Sequence, residues 1–156
     1  MHPTIQKMTE VAKSHDPEGL QSILAEDVTF MPPTYWATWT GREPVSAILG
    51  HVIAIFEDFK YRRVMGDGAD WALEFECKIG DLDVVGVDLI TLNDAGLIQK
   101  FEVVMRPHKS VGVLREKMMA SIKKDRRFLK YREMMTGGQT SSKPARAKFS
   151  LFGLLR

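Results

Sequence analysis

Four strand-like segments separated by three short turns fill residues 61–107: YRRVMG, WALEFECKIG, DVVGVDLITL and LIQKFEVVMRP. The turn signals are Gly66-Asp67-Gly68, Gly80-Asp81 and Asn93-Asp94-Ala95-Gly96, the residue types that close hairpins. Connections this short join antiparallel neighbours only, so this half of the chain is expected to form an antiparallel meander. A sheet of four strands needs cover on its apolar face, and the preceding residues supply it. Ile5, Met8, Val11 and Ala12 recur at helical spacing. Asp16-Pro17 then restarts the chain as an N-cap with proline at N1, leading into Leu20, Ile23 and Leu24. A strand at 28–31 stops at Pro32-Pro33, and the aromatic loop PPTYWATWTG follows. The segment EPVSAILGHVIAIFEDF sets Val45, Ile48, Leu49, Val52, Phe56 and Phe59 on one face of a long helix. Three helices followed by antiparallel strands give an α+β fold class, with no internal repeat.

A chain of 156 residues is about one domain, and 44% apolar content suits a globular protein. No run approaches the roughly 18 apolar residues of a membrane span, and the start MHPTIQKMTE lacks a charged-then-apolar leader. The expected compartment is the cytoplasm. The single cysteine, Cys77, allows no internal disulfide. His2, His15, His51 and His108 stand at no metal-ligand spacing, so neither a metal nor another cofactor is expected.

The net charge of +2 conceals a division. Residues 1–108 hold 9 Lys/Arg and 17 Asp/Glu, a net of −8, and residues 109–156 hold 13 and 3, a net of +10. After Pro107, Ser110 is placed to cap a helix running to about Met135, with Val111, Leu114, Met118, Ile122 and Leu129 on one face. The segment QTSSKPARAK has the composition of a flexible linker, and the terminal FSLFGLLR is apolar. The expected division is 1–108, a cavity domain; 109–136, a basic helix; and 137–156, a basic tail with an apolar end. The charge split fits two parts with different roles, or mutual neutralisation across a homodimer. Basic residues without interleaved aromatics argue against nucleic acid as a partner. For the tail, contact with a membrane surface and a merely solvated state are both open.

The AEDVTF strand after the second helix, the helix start GREPVSAIL and the stretch VDLITLNDAGLIQKFEVVMRP together resemble the nuclear transport factor 2-like superfamily. The last stretch is similar to that superfamily's D-x-I-x-F-x-x-x-G-x-I pattern. Ketosteroid isomerases and SnoaL-like polyketide cyclases belong to it, and an RP pair followed by a helix resembles one SnoaL-like subgroup. The match covers residues 3–108. It implies a cone-shaped curved antiparallel sheet packed on three N-terminal helices, a cystatin-like roll with a C-terminal helix added. It also implies a cavity that holds a small ligand, with or without chemistry.

Asp88 is the residue that stands out. Val85, Val87 and Leu89 share one register of its strand, and Val84, Gly86, Ile90 and Leu92 share the other, so both faces are expected to be covered. A buried carboxylate needs a hydrogen bond, an ion pair or a raised pKa. Under the resemblance, Asp88 falls where ketosteroid isomerases carry a protonated oxyanion-hole aspartate. The positions of their general base and catalytic tyrosine hold Pro32 and Met8. Asp88 is therefore read either as an acid that polarises a carbonyl ligand or as a group that pairs with Trp, Tyr or Arg106 to close the sheet. His51 is the remaining candidate base, with a core-edge role as the alternative. Tyr35, Trp36 and Trp39 are candidates for a lid over the ligand; Phe56, Trp71, Phe75, Phe101, Val103 and Met105 are candidates for its apolar wall. Glu74, Glu76 and Glu102 alternate onto the opposite face. The ligand this pattern suits is a small apolar carbonyl compound, handled by proton transfer without a cofactor. The competing expectation is a non-catalytic dimerisation domain whose basic arm engages a partner.

Overall fold

The computed structural model describes the backbone of residues 1–136 and the side chains through residue 132. Its elements run α1 Pro3–Ser14, α2 Pro17–Ile23, β1 Leu24–Met31, β2 Trp39–Thr40, α3 Arg42–Ile55, β3 Glu57–Asp67, β4 Asp70–Ile79, β5 Leu82–Leu92, β6 Ile98–Arg106, α4 His108–Lys124 and α5 Arg127–Thr136. The fold is α+β. The expected tail, 137–156, lies outside the described residues.

Local chemistry starts and stops these elements. The His2 ring accepts the Thr4 N–H at 3.2 Å, and Asp16 Oδ1 accepts the Glu18 N–H at 3.1 Å, each with proline at the first helical position. Helix α1 ends on His15, which adopts the left-handed conformation (φ 55°, ψ 36°) that caps a helix and that glycine usually supplies. The buried residues of α1 are Thr4, Ile5, Met8, Val11 and Ala12, the face its spacing defined.

One sheet holds all six strands in the order β2-β1-β6-β5-β4-β3. Strands β3 to β6 form the expected meander. Strand β1 begins four residues earlier than expected and lies parallel to β6, pairing Phe30 with Phe101 and Met31 with Glu102. The two-residue strand β2 adds antiparallel to β1 at the edge.

Strand β3 carries two irregularities. Between Glu57 and Lys60 it has one residue more than β4, next to Asp58 at φ 53°, and between Tyr61 and Arg63 it has another, Arg62. Such bulges bend a strand and increase its twist, which curves the sheet. The long third helix is shorter than expected. It ends at Ile55; Phe56 caps it in extended conformation, and Phe59 belongs to β3.

The expected helix after Pro107 is two helices. Pro107, not Ser110, is the N-cap of α4, and Ser110 donates its hydroxyl to the Asp83 carbonyl at 2.9 Å. Asp125 leaves helical conformation (φ −96°, ψ 107°) and separates α4 from α5. The chain divides into two units after Asp125. The expected boundary at 108 is therefore displaced: α4 belongs to the first unit because Leu114 is buried in the cluster of Phe75, Cys77, Ile79 and Val84. In the second unit, Phe128 and Tyr131 meet edge to face at 5.3 Å. Among the described residues, no helix is long and apolar enough to cross a membrane.

Candidate active site

The inner face of the sheet and helices α1, α3 and α4 enclose a cavity of about 100 Å³. The alternation of β5 settles the question of Asp88: Val84, Gly86, Asp88, Ile90 and Leu92 are buried, while Asp83 and Leu89 are exposed. Asp88 thus points inward, is 4% exposed, and lines the cavity.

Its partner is Tyr61, whose hydroxyl donates to Asp88 Oδ2 at 2.6 Å. Tyr61 reaches Asp88 from two strands away. Between them lie Phe75 on β4, paired with Tyr61, and Gly86 on β5, paired with Phe75. A Cβ at Gly86 would sit 2.3 Å from Phe75 Cζ, so the missing side chain is what lets the Phe75 ring lie flat across β5. Around this row the rings of Phe56, Phe59, Tyr61 and Phe75 pack together. Phe59 lies 5.1 Å from Phe75 and 5.0 Å from Tyr61, edge to face with the latter.

These rings exclude water from the Asp88 carboxyl. Burial pushes its pKa up to about 7, and the hydrogen bond from Tyr61, which favours the ionised form, opposes the rise only in part. The Tyr61 phenol is raised well above its ordinary range by burial and then by the negative charge of Asp88. Burial, followed by the same charge, pushes the Cys77 thiol up to about 12, which leaves it a packed, unreactive group. Near neutral pH, Asp88 is accordingly an acid with its proton present on much of the population, set in an apolar wall.

Of the residues the sequence nominated, Tyr35, Phe56, Phe75, Phe101, Val103, Met105 and Asp88 line the cavity. Pro32 and Met8, which the resemblance set at the positions of the isomerases' base and tyrosine, also line it, as apolar wall. Trp36 is fully exposed in its loop. Trp39 is buried at the sheet edge in β2, outside the lining, and Trp71 sits at the β3–β4 turn with its indole donating to the Gly68 carbonyl at 3.0 Å.

His51 is also elsewhere. Its Nδ1 lies 2.6 Å from Ser121 Oγ and its Nε2 2.9 Å from Asp125 Oδ2, so it ties α3 to α4, and none of the three lines the cavity. Among the described residues, no ion pair joins Arg106 to Asp88. On the outer face the Arg62 bulge brings two consecutive arginines to Glu74. Arg62 contacts it at 2.6 Å and Arg63 embraces it with two nitrogens. The two hydrogen bonds, that from Arg63 first, hold the Glu74 carboxyl at about 2. Lys60 and Arg62 pair with Glu76.

Sequence reasoning missed the hydroxyl of Thr34 and three titratable groups of the cavity: Tyr61, His15 and Arg115. Tyr61 was legible only as the first residue of a strand. The other two come from separate helices and carry no local motif. Among the described residues, no group of three or more His, Cys, Asp or Glu is placed to hold a metal ion.

No curated protein matches the chain. Among solved structures it is 65% identical to an uncharacterized bacterial protein with a cystatin-like fold from Silicibacter pomeroyi DSS-3, covering 85% of this chain and 94% of that one (TM-score 0.84). It is 32% identical to a steroid delta-isomerase from Pseudomonas aeruginosa, covering 78% and 90% (TM-score 0.74). An NTF2-like protein of unknown function from Mesorhizobium loti, 17% identical over 67% of this chain and 88% of that one, shares the fold (TM-score 0.61). The model of the SnoaL-like domain matches residues 5–101. That match takes in helices α1 to α3 and the strands that carry Tyr61 and Asp88, and the chain therefore belongs to the SnoaL-like domain family.

Proposed function

We propose that the cavity binds a small apolar carbonyl compound and that Asp88, in its neutral form, donates a hydrogen bond to the carbonyl oxygen. The observation that carries this reading is a buried carboxyl facing a cavity with a largely apolar wall, oriented by Tyr61 and with its pKa raised to about 7. A donor at that oxygen stabilises the negative charge that develops when an adjacent C–H gives its proton to water or hydroxide, from which a proton later returns to the substrate. The reaction type is then proton transfer, as in isomerisation, cyclisation or hydration. Likeness to a steroid delta-isomerase supports the reaction type. On the resemblance, Pro32 and Met8 take the places of the isomerases' base and tyrosine, so the proposed reaction does not rely on the isomerases' own set of groups.

The test is exchange of the α-protons of acetophenone in D2O, followed by NMR, together with ketone affinity between pH 5 and 9. Affinity is expected to fall as pH rises through about 7, because the ionised carboxylate repels a carbonyl oxygen. The Asp88→Asn variant keeps a neutral donor and should lose the pH dependence. Unchanged affinity, exchange rate and pH profile in that variant overturn the reading.

A specific observation favours homodimerisation alongside it. On the outer face of β5 and β6, Leu89 is 40% exposed and Val104 53%, and the register sets them diagonally beside each other. We propose that a second copy of the chain covers this patch.

A further inference from the structure

The cavity lining combines the buried Asp88, its half-buried partner Tyr61 and apolar side chains with two exposed residues that carry basic groups. One carries a fixed positive charge, Arg115 of α4, and the other an imidazole, His15 at the end of α1. Among the described residues, no carboxylate other than Asp88 lines the cavity. Among the described residues Arg115 makes no ion pair, although residues 1–108 carry a net −8 and acidic partners abound. A cationic rim on an acidic body focuses anions toward one opening.

His15 adds a second, independent point. It holds a left-handed backbone conformation, with its own N–H donating to the Val11 carbonyl at 2.9 Å. Glycine suits that position better, since a side chain there costs about 1 kcal/mol. The imidazole is the feature that glycine would not supply. Its N–H donates to an oxyanion whether the ring is neutral or protonated.

We propose that the ligand carries an anionic group, a carboxylate, at the end away from its carbonyl, and that Arg115 and His15 hold that group at the mouth. The ligand class is then an apolar keto acid, with the carbonyl at Asp88 and the hydrocarbon against Phe75, Phe101 and Met118. This rests on the carbonyl-binding reading of Asp88 and adds the other end of the molecule. Arg115 acts as a charge-assisted donor to the carboxylate, for which its forked geometry is suited.

The test uses ω-benzoyl carboxylates with one to four methylenes between ketone and carboxylate, each beside its methyl ester. Affinity is measured by calorimetry on the full chain and on Arg115→Gln, His15→Gly and Asp88→Asn. Neither mouth variant should disturb folding, because Arg115 is exposed in a helix where glutamine is tolerated, and glycine relaxes position 15. At least one acid is expected to bind about three- to tenfold tighter than its ester, a preference that shrinks in Arg115→Gln and at high salt while ester affinity stays constant. Equal binding of acid and ester, with Asp88→Asn still altering both, overturns the keto-acid assignment and leaves the carbonyl reading standing. An acid preference that survives in the Arg115→Gln, His15→Gly double variant overturns the assignment of the mouth. Absence of binding by every compound overturns both readings.

Discussion

At the scale of single residues, the Asp88–Tyr61 pair makes stability depend on pH. The folded state holds the Asp88 proton up to about pH 7, whereas an unfolded aspartate releases it near 4. Between those values the native state binds more protons than the unfolded one, so stability falls as pH rises through that window and levels off above it. Replacement by Asn is expected to remove this loss, on the order of a few kcal/mol, and to stabilise the protein more at pH 8 than at pH 4. Urea denaturation at the two pH values measures it. Tyr61→Phe removes the hydrogen bond that favours the carboxylate. The midpoint of the Asp88 titration, followed by carboxyl carbon NMR, should then move up by about one pH unit. A third consequence concerns Gly86, where even alanine places a Cβ 2.3 Å from the Phe75 ring. We expect Gly86→Ala to cost about 1–3 kcal/mol in thermal unfolding and to reshape the cavity, because the displaced ring is part of its wall.

Whole elements show where pattern reading succeeds and where it stops. Helices α1 and α2 were legible to within a residue because their caps and apolar spacing are local signals. The bulge at Arg62 was not. Alternation alone would put Arg62 and Arg63 on opposite faces, and only the register of β3 against β4 brings both to Glu74. The same irregular strand turns Phe59 and Tyr61 inward. For α4 the decisive contact is His51 with Ser121 and Asp125. The expectation that a histidine in α3 serves the cavity fails on its direction, since the ring meets α4 instead. His51→Ala leaves these polar groups without the ring, so about 1–3 kcal/mol of stability should be lost. Faster hydrogen exchange at the last turn of α4 would localise the effect.

For the molecule as a whole, the exposed outer face of β5 and β6 is the feature that the sequence assigned only in outline. The homodimer proposed above predicts that introducing lysine at Leu89 and Val104 together yields a monomer by light scattering, with the far-ultraviolet circular dichroism unchanged. A monomeric starting protein would refute it. The acidic body and basic C-terminal part remain a property of composition.

What the sequence determined by itself, β2 and the division of the last helix excepted, was the order of three helices, a strand and a four-strand meander in an α+β fold, and the burial of Asp88. Each of these follows from periodicity, turn chemistry and the cost of placing an acid among valines. Only the tertiary structure decided which groups meet. Tyr61 and Asp88 are 27 positions apart and are brought together by two strand pairings and the space left at Gly86. His15, which caps the end of α1, and Arg115, in the middle of α4, both line the cavity. The physical reason is that periodicity fixes the face a residue occupies, whereas register, bulges and helix packing fix its neighbours across the fold.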